Sequence, residues 1–182
     1  SAGTAMRGQL QRRDTATGDI ELDYTVQGTC TVVEKKYLRL TSAPDPRTVR
    51  PEPVLKRAIE WIRERMQDFD PTQQQANYIF LWEQLKSVRQ DLTVQRIRNA
   101  FTVEVYEMHA RVCLEYDDQA ELKQCQAQLE VLYEEGLGTE KSRREFKAYQ
   151  ILYNVGKRAS QNLVDELASL TAEDRSSPFI VH

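Results

Sequence analysis

A chain of 182 residues, 40% hydrophobic and 29% charged, is long enough for one domain with a buried core and has the composition of a globular rather than a disordered protein. Its net charge of -3 excludes a global pull toward polyanions, so any nucleic-acid contact has to come from a local patch. The longest apolar runs, such as YIFLW at 78–82, fall far short of the roughly 20 residues that span a bilayer, and three widely spaced cysteines, Cys30, Cys113 and Cys125, point to reduced thiols in an intracellular chain rather than a disulfide framework.

Residues 1–29 carry scattered apolar residues and no secretory apolar segment. They read as an N-terminal arm, extended or flexible, whose small first residues are in part an expression scar. Residues 30–53 read as a short helix over 30–40, with Thr29 as its N-cap, followed by a stiff extended connector in which Pro44, Pro46, Pro51 and Pro53 exclude helix and central strand.

Residues 54–182 read as a helical repeat domain. Val54, Leu55, Ala58, Ile59, Ile62 and Met66 form the apolar stripe of a first helix that ends before Pro71. The spacing predicts a second helix over Thr72–Leu92, with Tyr78, Leu81, Trp82, Leu85 and Val88 inward. A third, over Val94–Tyr116, uses Val94, Ile97, Phe101, Val105, Met108 and Val112. A fourth covers Asp118–Glu134 through Leu122, Cys125, Leu129, Leu132 and Tyr133, and GLGT at 136–139 supplies its stop. A fifth spans Ser142–Lys157 with Phe146, Tyr149, Ile151, Leu152 and Val155, and a sixth Gln161–Leu170. Links this short make consecutive helices antiparallel hairpins, and no strand pattern intervenes, so an all-α solenoid or bundle is the expected architecture.

Charge is segregated along the chain. Residues 35–57 hold seven Lys or Arg against Asp45 and Glu52, and residues 86–98 hold Lys86, Arg89, Arg96 and Arg98 against Asp91 alone. Residues 115–135 are acidic, with Lys123 as the lone cation. Lys86 and Arg89 sit near a helix C-terminus, where cations complement the dipole. Arg96 and Arg98 sit at the expected start of the next helix, where the dipole opposes them. With Thr93 as N-cap, the exposed amides and Arg96 would make an anion site; the competing reading is internal pairing with Asp91 and nearby acids.

No nucleotide-loop, nucleophile-elbow or H-E-x-x-H pattern occurs, and no enzyme, cofactor or metal is expected. His109 and Cys113 are four apart on one helical face, and Cys125 is on the next helix. Zinc would suit three such ligands, but no C-x-x-C pair is present and a fourth ligand is missing, so core packing is preferred. Glu104 and Glu107 lack the Glu-x-x-His spacing of a di-iron site. Tyr78, Phe80, Trp82 and Tyr106 could stack on bases, yet most lie at core spacing.

The runs GTCTVVEKKYLRLTSAPDPRTVRPEPVLKRAI and QLKSVRQDLTVQRIRNAFTVEVYEMHARVCLE, then QCQAQLEVLY and REFKAYQILY, resemble the conserved domain of the germinal-centre-associated nuclear protein (GANP) superfamily. The branch is that of leukocyte receptor cluster member eight and its fungal counterpart in the Thp-Csn-Sem complex, over about residues 28–182. The resemblance implies PCI-like helical repeats, a right-handed α-solenoid of antiparallel helical hairpins; the chain ends at SSPFIVH, before the winged helix expected to follow. It also implies a non-catalytic nuclear adaptor in transcription-coupled mRNA processing or export. Such an adaptor pairs with a PCI-domain partner and a small acidic Sem-type protein to bind RNA or DNA as an assembled complex.

One departure is local: the family usually has glycine where this chain has Arg96. The residues expected to contact nucleic acid are Arg89, Arg96 and Arg98, with Lys86, Arg39, Arg47 and Arg50 as outer contacts. The alternative is a pure protein-interaction scaffold of the proteasome-lid or signalosome type without nucleic acid, binding through the acidic helix 118–134 and the apolar end of the stack.

Overall fold

A computed structural model of the chain describes residues 25–156 and 160–181, and every structural statement below refers to them. They contain no strand, and no helix among them is long and apolar enough to cross a membrane. The chain forms two compact units, one ending at Ile97 and one beginning at Arg98.

The first unit is a helix pair with an extended segment laid on it. Helix α1 (Glu52–Gln67) starts where Pro51 and Pro53 pre-set the backbone for a first turn. It packs on α2 (Gln74–Val94). The expected stripe is the observed core: Val54, Leu55, Ala58, Ile59 and Ile62 from α1 and Leu81, Leu85, Val88 and Leu92 from α2 are buried. Tyr78 and Trp82 are only half-buried. Fully burying each Val, Leu or Ile side chain among them stabilises the fold by about 1.5–3 kcal/mol.

The short helix expected over 30–40 is not formed; the segment is extended, and the chain turns once in a 3-10 helix at Pro46–Thr48, inside the stretch read as extended connector. Burial explains it. Val33, Lys35 and Tyr37 are partly buried, whereas Val32, Glu34, Lys36 and Leu38 are exposed, a period of two that only an extended chain delivers. Its backbone groups are satisfied by distant partners rather than by a helix. The Val26 amide donates to Val94 O at 3.1 Å, the Cys30 amide to Val49 O at 2.9 Å and the Lys35 amide to Gln84 Oε1 at 3.2 Å, while Leu38 O accepts from Gln90 Nε2 at 2.7 Å. Residues 25–29 of the expected arm thus belong to the folded unit, and residues 1–24 lie outside the described residues.

Helix α2 runs past its expected end, and the chain then breaks where the third helix was expected to begin. Gln95 is the C-cap and Arg96 follows in the left-handed region at φ 53°. The Ile97 amide reaches Leu92 O and the Arg96 amide Thr93 O, both at 3.0 Å, a Schellman stop normally built on glycine. This accounts for the glycine that the resemblance places here. A side chain in this region costs roughly 1–2 kcal/mol, partly offset by the chain entropy that glycine would lose. Arg96→Gly is therefore expected to stabilise the chain by about 0.5–1 kcal/mol, read as a higher urea midpoint at unchanged slope; a lower midpoint would contradict the strain assignment.

The second unit begins with α3 (Ala100–Glu115), capped by Asn99, whose side chain accepts from the Thr102 amide at 3.1 Å. Helix α4 (Gln119–Glu134) is capped by Asp118 and packs along α3; α5 (Glu140–Gly156) follows, then α6 (Ser160–Ala168), α7 (Ala172–Arg175) and α8 (Pro178–Val181). The expected end of the fifth helix, Lys157, lies outside the described residues. Gly136 ends α4 at φ 77°, the stop expected from GLGT. Val103, Tyr106, Ala110 and Cys113 of α3 meet Leu122, Cys125, Leu129 and Leu132 of α4 and Phe146 of α5 in one core.

Two polar networks fasten α5 to its neighbours, one to the α3–α4 core and one to α7. Tyr133 donates to buried Glu107 at 2.9 Å, and Arg111 bridges Glu107 to Glu145, whose carboxyl is held below the usual carboxylate range by that guanidinium. Buried Asp174 faces Arg143, Arg144 and Lys147. Burial alone would raise its carboxyl, but hydrogen bonds with Thr171 and the charges of Arg143 and Lys147 outweigh that and bring it to about 2. Leu152 and Val155, expected inward, are 65% and 52% exposed. Stripe spacing alone does not tell a covered position from an open one.

Candidate nucleic-acid interface

The cations expected to form one surface fall into different environments. Arg39, Arg47, Arg50, Lys86, Arg89 and Arg96 belong to the first unit and Arg98 to the second.

Arg50 is not an outer contact. It is fully buried, with Nε on Asp91 Oδ2 at 2.7 Å, Nη1 on Val33 O at 2.7 Å and Nη2 on Ser87 Oγ at 2.8 Å. Asp91, itself 1% exposed, also accepts from Lys35 Nζ. A carboxylate taken out of water needs such compensation, and two cations supply it. Gln95 completes the arrangement: its Nε2 donates to Arg50 O at 2.8 Å and Asp91 O at 2.7 Å, and its Oε1 accepts from the Gly28 amide at 3.0 Å. Lys35, Arg50, Asp91 and Gln95 thus bind the extended segment to α2. Sequence reasoning counted Arg50 with the exposed cations because its partner lies 41 positions away.

Arg47 is exposed but folds back on Asp45, with Nη2 at 2.7 Å and Nε at 3.0 Å from Oδ2. Its hydrogen bonds lower the Asp45 carboxyl. Arg98 makes a two-pronged pair with Glu135, Nε to Oε2 at 2.8 Å and Nη2 to Oε1. Lys86 is half-buried with Nζ 4.4 Å from the Trp82 ring centre and 5.1 Å from that of Tyr37, a cation–π seat between α2 and the extended segment. Arg89 is half-buried, and its carbonyl accepts from the Thr93 hydroxyl at 2.8 Å. Arg39 and Arg96 are exposed.

The anion site expected at Thr93 is absent, because Thr93 is inside α2 and its hydroxyl bonds back one turn; Asn99 is the N-cap of α3. The dipole argument reverses with it. Arg96 stands at the C-terminal end of α2, where a cation is favoured, rather than at the start of α3. Of the expected aromatic contacts, Tyr106 is buried in the core of the second unit, and Phe80 is half-buried against Trp61 and Phe69 at centroid distances of 5.5 and 5.8 Å.

Among groups able to bind a metal, His109, Glu121 and Cys125 come together, their ligand atoms within 4.8 Å of one another. Glu121 was not among the residues weighed from the sequence.

A sequence model described as the SAC3/GANP family matches residues 19–181. SAC3 family protein A of Arabidopsis thaliana is 46% identical over 169 residues, 92% of this chain and 16% of that protein. A leukocyte receptor cluster member 8 homolog of Xenopus laevis is 46% identical over 177 residues, 96% of this chain and 21% of its own length. A THP3 homolog of Schizosaccharomyces pombe is 46% identical over 155 residues, 85% of this chain and 37% of its own length. The chain thus spans about a sixth to somewhat over a third of these curated relatives.

Proposed function

From a chain that belongs to the SAC3/GANP family, we propose a non-catalytic nuclear adaptor in mRNA processing or export, which pairs with a PCI-domain protein and a small acidic Sem-type protein to form an RNA-binding platform. The observation that carries this reading is the match to relatives of the leukocyte receptor cluster member 8 and THP3 type over nearly the whole described chain. The helix pairs α1–α2 and α3–α4 suit stacking in a right-handed PCI-like solenoid.

Within that platform the geometry favours a narrower set of phosphate contacts than the charge pattern does. Arg39, Arg47, Arg96 and Arg98 are the exposed members, Lys86 and Arg89 lie half-buried beside the extended segment, and Arg47 and Arg98 would have to leave Asp45 and Glu135. The second reading, a protein scaffold without nucleic acid, is favoured by those same pairings and by exposed Leu152, Val155, Val164 and Leu167.

The test is RNA affinity of the full chain assembled with its PCI-domain partner across a salt series. Arg39→Glu with Arg96→Glu is expected to lower affinity by tenfold or more at low salt and to reduce the slope of log affinity against log salt by roughly two. Unchanged affinity and slope, in a variant that still assembles, would favour the scaffold.

A further inference from the structure

The geometry points to a zinc site inside the second unit, with His109 of α3 and Glu121 and Cys125 of α4 as ligands and Cys113 of α3, which lies outside that cluster, drawn in as the fourth donor when the metal binds. Two features separate this group from ordinary core packing. The first is spacing: His109 and Cys113 are four residues apart on α3, Glu121 and Cys125 four apart on α4, and the two helices pack along each other. Two such pairs on facing helices put four donors on one stretch of the α3–α4 contact, and the ligand atoms of three of them already lie within 4.8 Å of one another. The set is also the right mixture, since imidazole nitrogen, carboxylate oxygen and thiolate sulfur are the donors zinc takes in fourfold coordination.

The second is the orientation of Glu121. It is the third residue of α4 after the Asp118 N-cap, a position from which a glutamate normally reaches back to the cap's own amide. That amide is already taken: it donates to Cys113 O at 2.9 Å in the stop of α3. Glu121 instead lies 4% exposed with its carboxylate beside His109 and Cys125, both fully buried. Cys113, 1% exposed, lies in the same α3–α4 core as Cys125.

A tetrahedral zinc has ligand-to-ligand edges of about 3.3–3.8 Å, from Zn–N near 2.0 Å and Zn–S near 2.3 Å. The present separations of up to 4.8 Å among His109, Glu121 and Cys125 close to that value with about an ångström of side-chain movement, and Cys113 has further to move. On binding, Zn²⁺ displaces the thiol protons of Cys125 and Cys113, which leave to water, and the two thiolates with the Glu121 carboxylate neutralise and exceed its charge. No oxidant or reductant is involved. Because the site is sealed, the metal enters as the hairpin folds, and its role is to fasten α3 to α4.

The experiment uses the full chain, purified without a histidine tag or chelator, with zinc and then cobalt as probes. About one zinc per chain is expected by elemental analysis, with a melting temperature that falls by roughly 5 °C or more when a strong chelator strips it and returns on adding zinc. Cobalt should give the intense visible bands of tetrahedral, thiolate-bound metal. Glu121→Gln and Cys125→Ser should each weaken zinc binding at least tenfold. If either variant fails to fold, the wild-type cobalt spectrum and chelator response decide alone. Zinc far below one per chain, a colourless cobalt titration, or a melting temperature indifferent to the chelator would overturn the site and leave a hydrogen-bonded core cluster. So would folded variants that bind zinc as tightly as the natural chain.

Discussion

Asp91→Ala is expected to lower the unfolding free energy by about 3–5 kcal/mol, the cost of leaving a buried cation without its counter-ion. Arg50 stays in place with no exposed surface, its Nε facing the gap where the carboxylate stood, and Lys35 loses the partner that draws it inward. Water cannot compensate at a site this closed without opening the extended segment. Urea unfolding measures the loss, and amide exchange locates it: the Cys30 and Lys35 amides, which donate to Val49 O and Gln84 Oε1, should lose protection before those of α3 and α4 do. A double variant, Arg50→Met with Asp91→Leu, removes both charges and should recover part of the stability, since a buried pair costs more when halved than when replaced whole. If Asp91→Ala is as stable as the natural chain, the ion pair does not hold the segment. The substitution also separates two ideas about RNA. Removing an acid makes the chain more positive, which by charge alone would tighten binding. Under the proposed RNA-binding role it should instead weaken binding, because Arg39 and the Lys86 seat depend on the segment that Asp91 holds.

Much of the helical fold was readable because it is encoded locally. The stripe of α1 and the Leu122, Cys125, Leu129 and Leu132 face of α4 need only 3.6-residue spacing to be recognised, and the structure buries them. Features set by distant partners were not readable. Residues 30–40 lack a strong helix signal but also any strand signal, and their extended form is imposed by Gln84, Gln90 and Asp91 from α2. Arg50 looked exposed because the only acids near it in sequence are Asp45 and Glu52, while its real partner is Asp91. The break between α2 and α3 was hidden because the apolar spacing from Val94 through Ile97 to Phe101 continues across it and the stop position holds Arg96 instead of glycine. Glu121 read only as one acid of the stretch 115–135, because its place beside His109 and Cys125 is set by packing across the α3–α4 pair. The runs that carry the family resemblance include Gly28, Lys35, Arg50, Asp91 and Gln95, so they hold the partners that attach the segment to α2.

Gly28→Ala is expected to destabilise the first unit by about 2–3 kcal/mol, far more than a single methyl group usually costs, because the methyl would meet backbone. A Cβ at position 28 falls 2.3 Å from Val49 O, 2.7 Å from Val49 C and 2.9 Å from Gln95 Oε1. Side chains can turn aside, but Val49 cannot. It is 1% exposed, its carbonyl accepts the Cys30 amide at 2.9 Å, and the next residue is the buried Arg50. The segment would have to lift, giving up the Gly28 bond to Gln95 at 3.0 Å and the Thr29 bond to Pro46 O at 2.9 Å. Gly156→Ala serves as the control, since nothing lies within 4 Å of its added methyl and the residue ends a helix; its urea midpoint should barely move. The position also tests the order of events. If residues 25–50 dock on a preformed α1–α2 pair, Gly28→Ala should mainly speed unfolding and leave the folding rate near that of the natural chain. A comparable slowing of folding would mean that the segment and Asp91 are already engaged in the transition state, and that the helix pair forms around the segment rather than before it.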